Sequence, residues 1–177
     1  MNSKEIATGL YAKFYSYLYH RKIPLMQDLN LPIYPINVKT ENGKTLILDV
    51  IRKKYVIITP EEWVRQHFVH FLISEKKVPA TLIAVEKSLR LNRLGKRTDI
   101  VVYDKKLQPL LIVECKSPEV KISQETFDQI ARYNMTINAH YLIVTNGLQH
   151  FTCFIDHEKQ AYTFLPAIPA YDELKKH

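Results

Sequence analysis

The run Leu110-Leu111-Ile112-Val113-Glu114-Cys115-Lys116 constrains this chain more than any other segment. Consecutive aliphatic residues suit a strand covered on both faces of a sheet, and that strand ends on two charges. Successive side chains of a strand alternate, so Glu114 and Lys116 project together while Cys115 points the other way. A carboxylate and an ammonium are costly in so apolar a setting unless they pair, bind a metal or take part in chemistry. The pair is therefore a site candidate.

An acidic partner lies upstream in RTDIVVYD, residues 97 to 104, another apolar run that begins next to Asp99. The intervening Lys105-Lys106-Leu107-Gln108 has the length of a hairpin loop. With Tyr103 and Asp104 leading in and Pro109 and Leu110 leading out, Asp99 falls opposite Glu114, their Cβ atoms about 5 Å apart. Two like charges at that spacing call for a cation between them, and carboxylate oxygens suit Mg²⁺ or Mn²⁺. Lys116, on the same face, could position or deprotonate a metal-bound water, or stabilise charge growing on a phosphate. A surface ion network is the plainer use of such charges. Against it, Ile100, Val101, Val102, Leu111, Ile112 and Val113 are too apolar for an exposed ribbon.

Around these strands the expected order is helix, three strands, helix, strand. Thr59-Pro60-Glu61-Glu62 is a helix start, with Thr59 as cap and Glu62 able to close a capping box. Val64, Phe68, Phe71 and Leu72 give that helix its buried stripe, to about Ile73. TLIAVEKSLRL, RTDIVVYD and PLLIVECK supply the three strands, and pairing across Asn92 to Gly95 sets Ser88 opposite Asp99, with Glu86 on the site's face. Ser123 caps the helix QETFDQIARYNM, on which Glu125, Gln129 and Tyr133 form one row beside Arg132. The strand AHYLIVTNGLQHFTCFI breaks at Asn146-Gly147 and resumes to Ile155. Upstream, IYPINVKTENGKTLILDVI reads as a hairpin turning at Glu41 to Lys44 and leading into Arg52-Lys53-Lys54, a charge run expected on a solvated face. Residues 1–25 form an N-terminal extension, helical where Ile6, Leu10, Phe14 and Leu18 recur at four-residue spacing, and residues 26–177 form one domain.

Composition narrows the partner. The chain of 177 residues carries a formal charge of +7, which favours a polyanion. Its two cysteines suggest reduced thiols and a cytoplasmic setting. No apolar run approaches the ~18 residues of a membrane span, and no signal-peptide core is visible. His67 and His70 lack the companions of a zinc site. Gly43-Lys44-Thr45 lacks the glycine five positions earlier that a phosphate-binding loop requires, Val38 standing there instead.

The ordered set Asp99, then Glu114-Cys115-Lys116, resembles the D…(D/E)-x-K signature of the PD-(D/E)XK nucleases. The segments KRTDIVVYD, PLLIVECKSPEV and FDQIARYN resemble the N-terminal nuclease domain of type I restriction enzyme R subunits, and Gln129 with Tyr133 matches a Gln-x-x-x-Tyr motif of that branch. The resemblance runs from roughly residue 26 to 170 and is densest between 83 and 150. Thr98 replaces the leading proline of the family name, and a chain of this length has no room for the motor of a full R subunit.

This resemblance implies a restriction-endonuclease-like α/β fold, a mixed sheet flanked by helices, with the N-terminal helix and hairpin as extensions. It implies a Mg²⁺-dependent (or Mn²⁺-dependent) nuclease acting on DNA ahead of RNA, in restriction, defence or repair. Asp99, Glu114 and the Cys115 backbone carbonyl would hold the metal and Lys116 would help activate water. Gln129, Tyr133, Glu62 and Glu86 would play supporting roles, and Arg93, Lys96, Arg97, Lys121 and Arg132 would contact nucleic acid. Expected partners are nucleic acid, a motor or specificity protein, and a second copy in a homodimer, with no membrane. The rival is a non-catalytic nucleic-acid-binding or assembly module of the same fold.

Overall fold

The computed structural model describes residues 27–88, 97–134 and 137–175, so the expected N-terminal helix and the loop at Asn92 to Gly95 lie outside the described residues. The chain first forms a three-stranded antiparallel sheet from β1 (Val38–Glu41), β2 (Lys44–Asp49) and β3 (Lys54–Ile57). The β1–β2 turn is Asn42-Gly43, both at positive φ (50° and 73°), the backbone that a two-residue hairpin with correct strand twist needs. The hairpin is thus where the sequence puts it, while β3 is an addition. KYVI is too short and too mixed in polarity to announce itself, and it pairs because Val56 lies opposite Ile47, a fully buried residue.

Helix α1 (Pro60–Ser74) starts as expected, with Thr59 Oγ1 accepting from Glu62 N at 3.0 Å and Pro60 in the first turn. Its burial is not a single stripe, since every residue from Glu62 to Val69 is buried. Two sheets explain this. Val64, Phe68 and Leu72 pack into a core with Ile100, Val102, Leu111, Val113 and Ile143, while Trp63 joins Tyr34, Ile36, Ile47 and Ile58 of the smaller sheet's core.

The main sheet has the order β4-β5-β6-β7-β8-β9. Its strands are β4 (Ile83–Ser88), β5 (Arg97–Tyr103), β6 (Pro109–Cys115), β7 (Tyr141–Thr145), β8 (His150–Asp156) and β9 (Ala161–Leu165). All neighbours are antiparallel except β6 and β7, which run parallel. Their crossover carries α2 (Gln124–Asn134), started by Ser123 Oγ accepting from Thr126 N. Phe127, Ile130 and Ala131 of α2 bury Ile112, Leu142 and Val144 on the second face of the sheet. Covering both faces is what the uninterrupted aliphatic run of β6 demanded. Strand β9 and the short α3 (Tyr171–Leu174) extend the expected order; Tyr171 donates to Tyr103 O and closes the end of the first core. The architecture, a mixed six-stranded sheet flanked by helices beside a three-stranded antiparallel sheet, is consistent with the expected restriction-endonuclease-like α/β fold. Among the described residues no helix is long and apolar enough to cross a membrane.

The β5–β6 register is the expected one, Ile100 opposite Val113 and Val102 opposite Leu111, until a bulge brings Tyr103 to Pro109. The β4–β5 register differs by two residues, so that Ser88 faces Arg97 rather than Asp99. A two-residue displacement leaves every side chain on the same face, and hydrophobic pattern alone cannot detect it.

Candidate active site

The charged residues gather where β5 and β6 end their pairing. Asp99 continues β5 beyond the Ile100–Val113 pair, and its Oδ2 accepts the Cys115 backbone N–H at 2.7 Å. A side chain has taken over a ladder position here, which ties Asp99 to the residue between Glu114 and Lys116. Lys116 Nζ donates to Glu114 Oε1 at 2.7 Å, the contact expected of residues two apart on one strand face. The backbone after β6 is held as well. Lys116 N donates to Thr145 O at 2.8 Å, and Asn146 Nδ2 donates to Val120 O at 2.9 Å.

That anchor depends on a tight turn. Gly147 has φ +83°, and a Cβ on it would sit 2.6 Å from Leu29 Cδ2 and 3.0 Å from Val64 Cγ2. The segment before β1 packs onto this turn, with Asn30 N donating to Gly147 O and His150 Nε2 donating to Asn30 O.

From α1 comes a feature the sequence did not announce. The Arg65 side chain is only 5% exposed, and its guanidinium binds Asp99 Oδ1 at 2.8 Å, Glu61 at 2.7 Å, and Glu62, with Glu86 at 3.7 Å. Arg52 forms a second hub, binding Asp49 at 2.6 Å, Glu62 at 3.5 Å, and Glu86. Arg52 therefore leaves the solvated charge run in which the sequence placed it, whereas Lys53 and Lys54 are exposed. Asp49, fully buried, accepts from Ile51 N, Arg52 N, Arg52 Nε and Gln66 Nε2, which matches a carboxylate's acceptor capacity. Glu62 turns to Arg65, Arg52 and Gln66 rather than back to the helix start, so only the Thr59 half of the capping box forms. The available signal was Glu61 and Glu62 standing four and three residues before Arg65, a spacing that brings them to one side of a helix.

Electrostatics follow from this crowding. Burial and the Asp99 charge raise the Glu61 carboxyl above its ordinary range, against the pull of Arg65 and Lys116. Desolvation pulls the Lys116 ammonium down, but the Glu114 hydrogen bond and the charges of Glu114, Asp99 and Glu61 outweigh it and the group is raised. Lys116 is thus a cation at neutral pH. Burial, then the Asp99 charge, lifts the Cys115 thiol well above its ordinary value, which leaves it inert as a nucleophile.

Asp99, Glu114, Cys115 and Lys116 are brought together, with Glu86 and Glu62 joined to them through the two arginines. Gln129 is exposed on α2, and Lys116 Nζ donates one of its hydrogens to Glu114. Lys121 and Arg132 are exposed, and Arg132 Nε donates to Asp128 O. Arg93 and Lys96, and the side chains of Arg97 and Tyr133, lie outside the described residues.

Among the described residues no three His, Cys, Asp or Glu side chains form a preassembled metal cage. The side-chain oxygen donors gathered here are the Asp99 and Glu114 carboxylates, which suit a hard cation retaining several of its own waters. Charge agrees, since six carboxylates (Asp49, Glu61, Glu62, Glu86, Asp99, Glu114) share three cations in the described ion pairs, although the chain as a whole is basic.

A family model for the type I restriction enzyme R protein N terminus matches residues 60–169, which contain all of these groups except Asp49 and Arg52. Among solved structures the chain is similar to a fragment described as an HsdR subunit of a type I restriction enzyme from Vibrio vulnificus. The identity is 19% and the TM-score 0.48, over 66% of this chain and 24% of that one. The chain thus spans about a quarter of that solved relative. No curated protein matches it.

Proposed function

Because this chain belongs to the type I restriction enzyme R protein N-terminal family, we propose that it is a nuclease module that hydrolyses phosphodiester bonds of DNA with Mg²⁺ or Mn²⁺. The observation that carries the proposal is the meeting of Asp99, Glu114 and Lys116 at the fork between β5 and β6, linked through the Cys115 N–H. Asp99, Glu114 and the Cys115 carbonyl would hold the ion, which when bound supplies a lowered water pKa and Lewis-acid polarisation of the phosphate. The protein's own contribution is orientation and charge. Lys116, paired with Glu114, would act on the attacking water or on a phosphate oxygen and offset negative charge growing at phosphorus. Glu114 holds the ammonium at 2.7 Å and so fixes where it stands. Glu62 and Glu86 serve as anchors for Arg52 and Arg65. The exposed Lys121 and Arg132, with Arg93, Lys96 and Arg97, supply positive charge for the DNA backbone.

Motor and specificity functions would be supplied from outside these 177 residues, and the reaction would take place in the cytoplasm in defence against foreign DNA. Linear, circular and single-stranded DNA incubated with the protein and Mg²⁺ or Mn²⁺ tests the reading. Cleavage that stops on adding chelator supports it. Salt-sensitive binding without cleavage, unchanged in Asp99→Ala, would support the non-catalytic binding module instead.

A further inference from the structure

We propose that Arg65 is the positioning residue for Asp99, and that its forked guanidinium, rather than its charge alone, sets the affinity of the site for a divalent ion. The inference rests on the metal-dependent reading above and adds a residue to it. Asp99 is held at both oxygens, Oδ2 by the Cys115 N–H at 2.7 Å and Oδ1 by Arg65 Nη2 at 2.8 Å. The first contact fixes the carboxylate relative to β6. The second fixes it relative to α1, an element that otherwise meets β5 and β6 through apolar packing. Each oxygen keeps a further lone pair, so the contacts orient the group without exhausting it.

Arg65 can do this because it is itself held. Its Nη1 donates to Glu62 and its Nη2 to Glu61, while Glu62 is gripped in turn by Gln66 at 2.8 Å and by Arg52. A planar fork fixes several acceptors at once in a way a lysine ammonium on a flexible stem cannot. The Arg65 Nε is buried and has no acceptor among the described residues.

Arg52 provides the control. It belongs to the same ion network and shares Glu62 and Glu86 with Arg65, but its described partners do not include Asp99. The experiment is Mn²⁺ titration of the full chain by calorimetry, without DNA, for wild type, Arg65→Lys and Arg52→Lys, with a thermal melt of each. Both variants keep the charge, so a change in affinity reports geometry. Arg65→Lys should bind Mn²⁺ at least tenfold more weakly, and its kcat on DNA should fall with KM unchanged. Arg52→Lys should melt at least as low yet bind Mn²⁺ within twofold of wild type. Equal affinities in wild type and Arg65→Lys, or equal weakening in both variants, would overturn the proposal and leave the network structural. Should Arg65→Lys not fold, Glu62→Asp takes its place, because it keeps the charge, shortens the carboxylate that holds Arg65 and does not touch Asp99. A threefold or greater loss of Mn²⁺ affinity is then expected, and no loss overturns the proposal. A wild-type protein that binds no Mn²⁺ would instead remove the metal-dependent reading itself, and this inference with it.

Discussion

Replacing Asp99 by alanine should cost the protein stability as well as activity, whereas replacing Lys116 should cost activity almost alone. Asp99→Ala removes two things the structure specifies. The Cys115 N–H loses its acceptor at a position where the residue is fully buried, a penalty of about 1–3 kcal/mol. Arg65 loses its partner at 2.8 Å while its side chain remains 5% exposed. Breaking a buried ion pair outright costs about 3–5 kcal/mol, but Glu61 and Glu62 still hold the guanidinium, so roughly 1 kcal/mol of that applies. Relief of the repulsion between Asp99 and Glu61 offsets part of the loss. The net is about 2–3 kcal/mol, or roughly 5–10 °C in melting temperature for a chain of this length. Asp99→Asn keeps an acceptor for the Cys115 N–H but turns its amide NH2 towards Arg65, so it loses the charge and the Arg65 hydrogen bond, and its cost should be about half. The Lys116–Glu114 pair is 28% and 21% exposed, and such a pair contributes less than about 1 kcal/mol. Urea and thermal unfolding of the three variants, alongside cleavage assays, separates the roles. An Asp99→Ala protein that melts with wild type, or a Lys116→Ala protein that falls as far, would refute the reasoning.

Two further outcomes follow from single positions. His67, buried with its Nδ1–H donating to Trp63 O, has its pKa pushed down to about 4 by burial, so its stabilising neutral form is complete above the ordinary histidine value of 6.5 and is lost as pH falls towards 4. At about 1.4 kcal/mol per pH unit this removes about 3 kcal/mol, and urea unfolding at pH 7 and pH 4 should show a drop smaller by that amount in His67→Gln; an identical drop would contradict the assignment. Gly147→Ala should lose roughly 1–3 kcal/mol through left-handed backbone and the contacts at Leu29 and Val64, and a variant with the wild-type melting temperature would show that the turn tolerates a side chain.

The parts of the fold that were legible in the sequence are those where one local signal dominates. Thr59-Pro60 starts α1, Asn42-Gly43 makes a hairpin turn, and the β5–β6 loop length fixes the register through Ile100 and Val113. Strands β3 and β9 carry no such signal, being short and partly exposed, and they form because a neighbouring strand offers them a ladder. The two-residue displacement between β4 and β5 was hidden because side-chain alternation is blind to it. Glu86 stays on the side of the site for the same reason, and its φ of +49° lies where the β4–β5 pairing skips a residue.

In the candidate site, Glu114 and Lys116 were visible as charges inside an apolar run. Arg65 and Arg52 were not, because an arginine on an amphipathic helix or in a basic stretch ordinarily faces water. The burial of Arg65 arises from long-range packing, α1 being enclosed between two sheets, while Arg52 is drawn in by Asp49, Glu62 and Glu86, and no local pattern encodes either arrangement.

The measurement closest to the central claim compares DNA cleavage by wild type with that by Glu114→Ala and Lys116→Ala, each in Mg²⁺, in Mn²⁺ and in chelator, with folding verified by melting. Wild type should cut only with a divalent ion, and both variants should lose on the order of a hundredfold or more in rate while melting close to wild type. A wild-type protein inert with both metals, or a Lys116→Ala protein that cuts as fast, would contradict a hydrolytic role for the fork between β5 and β6.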